Sequence, residues 1–227
     1  MISNTLVIAL MSLLIAFPIP ILLALLINEI RSTALKKVVQ NVTYVPHFIS
    51  VVVIVGVLSL FLHADTGFVN IIFNKLGLES IPFLAQPEWF KTIFIGSNIW
   101  QNMGFQSIIY IAALSGIDPQ LYEAAKIDGA SRLQRIIHVS VPGILPVIVI
   151  LLILDIGNFM NVGFEKILLM QNNLNLSASE VIQTFVYRNG ILNGDYSYSA
   201  AIGLFNSLIN FALLILINQY ARKKGRN

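Results

Sequence analysis

The chain of 227 residues is 56% hydrophobic and 11% charged, and its mean hydropathy is +0.80. This composition excludes a soluble domain of that length and predicts one all-α integral membrane domain over residues 1–227, because several apolar runs approach the ~20 residues that cross a bilayer. The net charge of +3 is small, so the positions of the charges matter more than their sum. Because the chain has no cysteine, disulfides and thiolate metal sites are excluded.

Five membrane spans are predicted along the chain from its apolar runs. The first contains Pro18 and Pro20, which remove backbone hydrogen bonds and should kink or loosen the helix. A short interfacial connector, Ser32–Gln40, separates the first span from the second. The five predicted spans are Thr5–Ile27, Val42–Leu62, Lys91–Leu114, Gly143–Phe159 and Tyr196–Tyr220.

The two longer loops carry helical patterns of their own. In the first, apolar residues between Phe68 and Leu76 recur at helical spacing and predict a short helix on the membrane surface. In the second, Ser177 and Glu180 form a capping-box pattern before a helix predicted to end at Gly190.

The last span carries a stripe of small and polar residues that is more typical of helix packing than of substrate binding: Ser199, Gly203, Asn206 and Asn210.

A polar island of 27 residues, Gly116–Pro142, lies between the third and fourth spans. Asp118 and Pro119 are residues that typically begin a helix. Gly129 can interrupt that helix by adopting backbone angles that other residues resist. On these features alone, a solvated loop between two membrane helices is an equally good interpretation.

The spacing within the island resembles the EAA loop of the membrane-spanning subunits of binding-protein-dependent ABC importers. Glu123-Ala124-Ala125 is followed after three residues by Gly129, and after nine more by Val139-Ser140-Val141-Pro142. The family pattern usually ends Ile-x-Leu-Pro, so the two valines preserve only its apolar character. The resemblance implies that residues 116–142 form a cytoplasmic coupling loop, whose helix sits in a cleft of the ATP-binding subunit. The implied coupling residues are Glu123, Ala124, Ala125, Gly129 and Pro142.

Four further stretches resemble the permeases for complex oligosaccharides and polysaccharide fragments of Gram-positive bacteria. In that branch, two homologous permease subunits pair, two ATP-binding subunits hold ATP and Mg²⁺, and an extracellular lipoprotein captures the substrate. The resemblance implies that this chain is a non-enzymatic half of a sugar pathway in the plasma membrane, with lipid but no nucleic acid among its partners. Family members usually carry one more N-terminal helix, so five spans would correspond to the core of the type I importer fold. The four stretches are Leu25–Arg31, Tyr44–Ser50, Ile108–Leu114 and Gly157–Glu165.

The distribution of basic residues predicts the orientation, because cytoplasmic loops collect Lys and Arg. With the polar island and the C-terminus inside, ten basic residues are cytoplasmic: Arg31, Lys36, Lys37, Lys126, Arg132, Arg135, Arg222, Lys223, Lys224 and Arg226. The other four of the fourteen are outside: Lys75, Lys91, Lys166 and Arg188. This bias predicts a cytoplasmic island and C-terminus without reference to any family.

Polar side chains inside the spans are candidates for the transport pathway. For Asp155, a structural hydrogen bond to the partner permease or to Asn98, Gln101 or Asn102 is at least as good an interpretation. Asn98, Gln101 and Asn102 share one face of the third span, and Asp155 and Asn158 share one face of the fourth. An ionised carboxylate deep in a bilayer costs about 2.5–3.5 kcal/mol on insertion scales, so Asp155 should face protein or water. An ion-coupled secondary transporter that uses Asp155 as its coupling carboxylate is the alternative function.

An enzyme is the least supported class. No catalytic residues are predicted, because the sequence contains no Gly-x-Ser-x-Gly elbow and no Gly-Lys dipeptide of a P-loop. No metal site is predicted, because the three histidines are far apart and no pair has i, i+4 spacing. His47 is more typical of a membrane-interface side chain than of a ligand. Any ATP site must therefore belong to another subunit.

Overall fold

The structure is a computed structural model that describes residues 1–224, with side chains described through Gln219. Arg226, the last of the basic residues assigned to the cytoplasmic tail, lies outside the described residues. Helices account for the regular structure of the described range. They are α1 Ile2–Met11, α2 Pro18–Asn28, α3 Thr33–Tyr44, α4 Val51–Phe61, α5 Phe68–Lys75, α6 Pro87–Ser115, α7 Pro119–Ile127, α8 Arg132–Arg135, α9 Val141–Gly157, α10 Phe164–Met170, α11 Leu176–Ser179, α12 Ile182–Val186 and α13 Tyr196–Lys224.

The first predicted span is one helical segment, Ile2–Asn28, with a loosened centre. Residues Ser12–Ala16 form a π-helical turn directly before Pro18, the first residue of α2. A proline ring collides with the carbonyl four residues earlier and offers no N–H to it. The wider π turn accommodates both effects, so the prediction of a loosened helix is confirmed.

The second predicted span is not one straight helix. The predicted connector is itself the start of α3, whose first turn is capped by Ser32 through a 3.3 Å bond from the Leu35 N–H. A 3₁₀ turn over Val45–Phe48 follows, and a sharp bend separates it from α4, which begins after its cap residue Ser50. Pro46 cannot donate to the helix, so continuous hydrogen bonding fails at this point.

The fourth predicted span begins earlier than its apolar run. Arg132–Gly157 is one helical segment of 26 residues, in which a π-helical turn over Ile136–Ser140 joins α8 to α9. Pro142, an implied coupling residue, therefore lies inside this segment, as the second residue of α9 where its apolar part begins. The wider turn before it makes room for the proline ring, as it does before Pro18.

Among the described residues, three helical segments are long and apolar enough to cross a membrane, namely Ile2–Asn28, Arg132–Gly157 and Tyr196–Gln219. The bent α3–α4 pair forms a fourth if it is counted as one span. The third predicted span, α6, is too polar to qualify by composition. Its 29 residues are about 43 Å long at 1.5 Å per residue, enough to cross a hydrocarbon core of about 30 Å. A helical multi-pass membrane protein is thus confirmed, and the count of five rests on α6 and on the bent α3–α4 pair.

The chain divides into two compact units. The first unit comprises residues 1–12, 48–98 and 158–212, and its buried centre includes Phe90, Phe94, Ile167 and Val181. The second unit comprises residues 13–47, 99–157 and the chain from 213 onward. Its core joins α2, α6 and α9 through Ala24, Leu25, Tyr110, Leu114 and Ile144.

The loop between α9 and α13 is held by amide side chains rather than by the predicted capping box. Ser177 lies within α11, and the carboxylate of Glu180 accepts a 2.9 Å bond from Arg188, so that prediction is wrong. Gly190 lies buried within a π-helical turn that continues to Leu192, beyond the predicted helix end. Asn4 of α1 donates to two carbonyls of this loop, at 2.9 and 3.1 Å.

The predicted helix over Phe68–Leu76, in the loop between α4 and α6, is confirmed as α5.

A buried lysine in this loop should make stability depend on pH. Lys166 of α10 is 4% exposed, and desolvation lowers the pKa of its ammonium from 10.5 to about 8. Between pH 8 and 10.5 the unfolded state binds the extra proton, so the free energy of unfolding should rise with pH in that window. At about 1.4 kcal/mol per pKa unit, the gain is on the order of 3 kcal/mol.

Thermal unfolding of the detergent-solubilised protein across this pH range measures the effect. The Lys166→Met variant should lose the rise between pH 8 and 10.5, whereas Lys75→Met, a control at an exposed lysine, should keep it. A rise of equal size in Lys166→Met would contradict the assignment.

Candidate functional site

The helix α7 within the polar island begins where the sequence predicts. Asp118 is its cap residue, and the Asp118 carboxylate accepts a 2.9 Å bond from the backbone N–H of Gln120. Pro119 occupies the first helical position, where its missing N–H costs nothing because that group has no partner within the helix. These two residues fix the start of α7.

Gly129 ends α7 in a left-handed conformation, with φ of +77°. The Gly129 N–H donates to the carbonyl of Lys126 at 3.1 Å, and the Ala130 N–H donates to the carbonyl of Ala125 at 2.9 Å. This pair of bonds is the Schellman arrangement, which satisfies carbonyls that a helix end leaves without partners. Only glycine adopts this backbone angle readily, which explains why the island needs one at position 129.

The second half of the island starts a new helix immediately. Ser131 caps α8 and exchanges reciprocal bonds with Gln134, at 2.7 Å from the Ser131 N–H and 3.3 Å to the Ser131 Oγ. Arg135 donates back to the carbonyl of Ala130 at 3.1 Å. The turn between α7 and α8 is therefore hydrogen-bonded on both sides. Movement of α7 can reach the long α8–α9 segment through a defined connection.

One face of α7 is fixed to the α8–α9 segment and the opposite face is open. Tyr122 shares a 2.9 Å hydrogen bond between its hydroxyl and the hydroxyl of Ser140, which is 1% exposed. Glu123 and Ala124 are exposed, and Ala125 is half-buried. Ile127 is 86% exposed, which leaves a large apolar side chain beside Glu123 and Ala124 on the surface.

Sequence reasoning missed the Tyr122–Ser140 pair, because 18 residues and a helix boundary separate the two side chains. The available signal was the one aromatic side chain of α7, which lies opposite its exposed surface. The predicted coupling residues Glu123, Ala124, Ala125 and Gly129 lie together on this segment. Pro142 does not join them, since it lies in the α8–α9 segment.

One of the candidate pathway residues on α6, Asn102, is held by a structural contact. Asn102 shares a 3.0 Å hydrogen bond between its Oδ1 and the Nδ1 of His47, which lies 55 residues earlier in the chain. The imidazole of His47 also stacks on the ring of Phe105, with centroids 3.9 Å apart and planes within 4°. Gln101 is 6% exposed and Asn98 is half-buried. For Asn102 the structural-bond interpretation is therefore the one that the geometry supports.

Asp155 and Asn158 are both exposed on the isolated chain. Asp155 lies in the last two turns of α9, whereas Asn158 lies just beyond the end of α9 and accepts a 2.8 Å bond from the Asn161 N–H. The predicted span that extended to Phe159 therefore ends two residues earlier, at Gly157. Within the described residues, no group of three His, Asp or Glu side chains is placed to hold a metal ion.

Comparison with known proteins assigns the chain to a family. The family described as binding-protein-dependent transport system inner membrane component matches residues 9–226. The chain belongs to this family. It is thus a permease subunit of a transport system rather than an enzyme, as the resemblance of the polar island implied.

Two relatives and a solved structure are similar to this permease along nearly its whole length. It is 44% identical to the polygalacturonan/rhamnogalacturonan transport system permease protein YteP of Bacillus subtilis (strain 168), over 99% of this chain and 70% of that protein. It is 43% identical to the Protein LplB of the same organism, over 98% of this chain and 70% of that protein.

The solved structure is that of a bacterial ABC transporter involved in the import of the acidic polysaccharide alginate. The similarity has a TM-score of 0.96 at 43% identity and covers 98% of this chain and 78% of the matched chain. A structure of a bacterial alginate ABC transporter in complex with an alginate pentasaccharide-bound periplasmic protein gives the same TM-score and identity. The expected fold, an ABC importer permease, is confirmed.

Proposed function

We propose that this permease forms half of the pathway of an importer for oligosaccharides or polysaccharide fragments. Its partners are a second homologous permease, two ATP-binding subunits that hold ATP and Mg²⁺, and an extracellular lipoprotein that delivers the sugar. The observation that carries the proposal is the similarity along the whole chain to permeases whose systems move polygalacturonan or alginate. The polar island and the C-terminus are cytoplasmic in this proposal, in agreement with the distribution of basic residues.

The geometry of α7 supports a coupling role for residues 116–142. A coupling element must present one face to a partner and transmit movement through the other. The face with Glu123 and Ala124 is exposed, while Tyr122 ties the opposite face to Ser140 of the α8–α9 segment. A carboxylate at Glu123 can accept a charge-assisted bond from an Arg or Lys of the ATP-binding subunit. The small Ala124 allows that surface to approach closely.

ATP binding switches the sugar pathway between an outward-facing and an inward-facing state by changing their relative free energies. If closure of the ATP-binding subunits displaces α7, the displacement reaches α6 before it and the α8–α9 segment after it. ATP can favour the outward-facing state only by the difference that its binding makes between the outward-facing and inward-facing states. The ion-coupled alternative gives no role to the polar island, and the family match favours the ATP-driven importer.

Co-purification and ATP hydrolysis test the proposal. The permease, solubilised with its partner subunits and reconstituted in lipid nanodiscs, should retain an ATP-binding subunit. A screen of oligosaccharides, presented with the binding lipoprotein, should find one that stimulates ATP hydrolysis. A permease that purifies without any ATP-binding subunit, and that drives sugar uptake from an ion gradient, would establish the secondary transporter instead.

Asp155 provides a separate prediction within this function. A leucine at this position removes a carboxylate from the exposed surface of α9 and is compatible with insertion, because leucine favours the membrane interior. We expect Asp155→Leu to lower sugar uptake while the complex assembles at a normal level. Uptake assays and co-purification measure the two properties, with Asp155→Asn as the control of similar shape. Unchanged uptake in Asp155→Leu would remove Asp155 from the pathway.

A further inference from the structure

We propose that a cavity between α12 and α13 is a subsite for a pyranose ring of the transported sugar, an inference that rests on the proposed function. The cavity has a volume of about 430 Å³ and lies entirely within the first compact unit. Small-molecule pockets typically measure about 300–1,000 Å³, so one or two sugar rings match its size. Its walls come from α10, α12, the π-helical turn after α12 and the first three turns of α13.

The cavity lining has the side-chain types that suit a sugar. Phe164 and Tyr187 pack with ring centroids 5.4 Å apart, and Tyr196 at the start of α13 is 69% exposed. Aromatic rings stack against the C–H face of a pyranose, while amide and hydroxyl groups form hydrogen bonds with its hydroxyls. The lining side chains carry no charge, so the cavity is suited to bind the sugar ring and its hydroxyls rather than a carboxylate.

Two residues of the cavity lining each carry a side-chain acceptor that has no hydrogen-bond partner among the described residues. The acceptors are Oε1 of Gln183 and Oδ1 of Asn206, and both atoms are buried. Gln183 is oriented by its amide nitrogen, which donates to Oδ1 of Asn161 at 2.9 Å. Buried polar atoms normally have partners, so two acceptors in one lining point to an occupant that donates hydrogen bonds. A sugar hydroxyl is such a donor.

The cavity wall between the π-helical turn and α13 is held in place by close packing. Ser199 donates its hydroxyl to the carbonyl of Val186 at 3.2 Å. A Cβ added at Gly190 would lie 2.5 Å from the Ser199 Oγ, so the π-helical turn and α13 touch at this point through the smallest possible residue. The cavity is therefore formed by packed helices and does not depend on a mobile loop.

The space beside Gly203 is open within the part of the chain that the structure describes. A Cβ added at Gly203 would meet no atom within 4 Å, and Gly203 lines the cavity together with Ser199 and Asn206. The sequence pattern predicted a helix-packing stripe here. Within the described residues, Ser199 and Asn210 of the stripe make such contacts, and Asn210 accepts a 3.1 Å bond from the Met160 N–H. The space above Gly203 is thus available to a ligand.

Cysteine protection tests the proposal directly, because the natural chain contains no cysteine. The Gly203→Cys variant is purified in the complete complex in nanodiscs and labelled with a water-soluble maleimide. The probe is whichever trisaccharide, of galacturonate, mannuronate or maltose type, stimulates ATP hydrolysis of the unmodified complex. We expect it to slow labelling of Gly203→Cys at least roughly fivefold and to leave the loop control Asn173→Cys unchanged.

Filling the cavity gives a second measurement. Gly203→Leu should raise the sugar concentration for half-maximal stimulation of ATP hydrolysis roughly tenfold, because a leucine occupies the ring position and Asn206 loses its donor. The matched control is Ser207→Leu, one turn later on α13 at an exposed position outside the cavity. It should leave that concentration unchanged.

Three outcomes would overturn the inference. The first is sugar-stimulated hydrolysis with unprotected labelling of Gly203→Cys, which leaves the proposed function intact. The second is a Gly203→Leu complex that fails to assemble while Ser207→Leu assembles, which would show that a helix of the partner permease fills the cavity. The third is the absence of stimulation by any oligosaccharide, which would overturn the proposed function and this inference together.

Discussion

Glu123→Lys and Gly129→Val should each abolish sugar uptake, although both proteins should insert in the membrane at normal levels. In Glu123→Lys, the exposed face of α7 presents a positive charge where a carboxylate can pair with a basic residue of the ATP-binding subunit. In Gly129→Val, a β-branched residue must adopt φ of +77°, a conformation that costs about 1–3 kcal/mol. The Schellman bonds that close α7 are then lost or distorted.

ATP hydrolysis by the reconstituted complex distinguishes a coupling defect from a folding defect. Sugar should still bind the extracellular lipoprotein, but it should no longer stimulate hydrolysis in either variant. Gly129→Asn is the matched control, because asparagine adopts the left-handed conformation more readily than valine and should retain part of the activity. No atom lies within 4 Å of a Cβ at Gly129, so the effect of valine comes from the backbone angle.

Normal sugar-stimulated hydrolysis in both Glu123→Lys and Gly129→Val would refute the assignment of α7 as the coupling element. If Glu123→Ala were also normal, Glu123 would be a solvated side chain, for which little loss is expected.

Local sequence signals predicted the helix ends of the polar island correctly. Asp118 and Pro119 start α7, and Gly129 ends it, because caps and left-handed turns are decided by a few adjacent residues. The periodic apolar residues that begin at Phe68 likewise identified α5. These features depend on residues within one or two helical turns of each other, so a short stretch of sequence is enough to predict them.

Features that depend on distant residues could not be predicted in this way. The break after α3 combines a local proline, Pro46, with the contacts of His47 to Asn102 and Phe105, which the sequence does not pair. The anchor of α7 needs Tyr122 and Ser140 to meet across two helix ends. The early start of the fourth span reflects a π-helical turn before Pro142, and apolar periodicity has no signal for such a turn.

Gly104→Ala should destabilise the permease strongly, because α6 touches the backbone of α3 at this residue. A Cβ added at Gly104 would overlap the carbonyl carbon and oxygen of Thr43. Main-chain atoms cannot rotate away as a side-chain end can, so α3 and α6 would have to separate. Overpacking costs about 1–3 kcal/mol and occasionally more. We expect the upper end of that range here, because the separation also strains the bond and the ring stack of His47.

Gly96→Ala on the same helix is the matched control. A Cβ at Gly96 meets no atom within 4 Å, and replacing a mid-helix glycine by alanine gains about 0.8–1.0 kcal/mol of helix propensity. The two variants should therefore change the unfolding temperature in opposite directions, and Gly104→Val should fail to accumulate in the membrane. Thermal unfolding in detergent and the yield of monodisperse protein provide the measurements. Equal stability of Gly104→Ala and Gly96→Ala would contradict the close approach of α6 to α3.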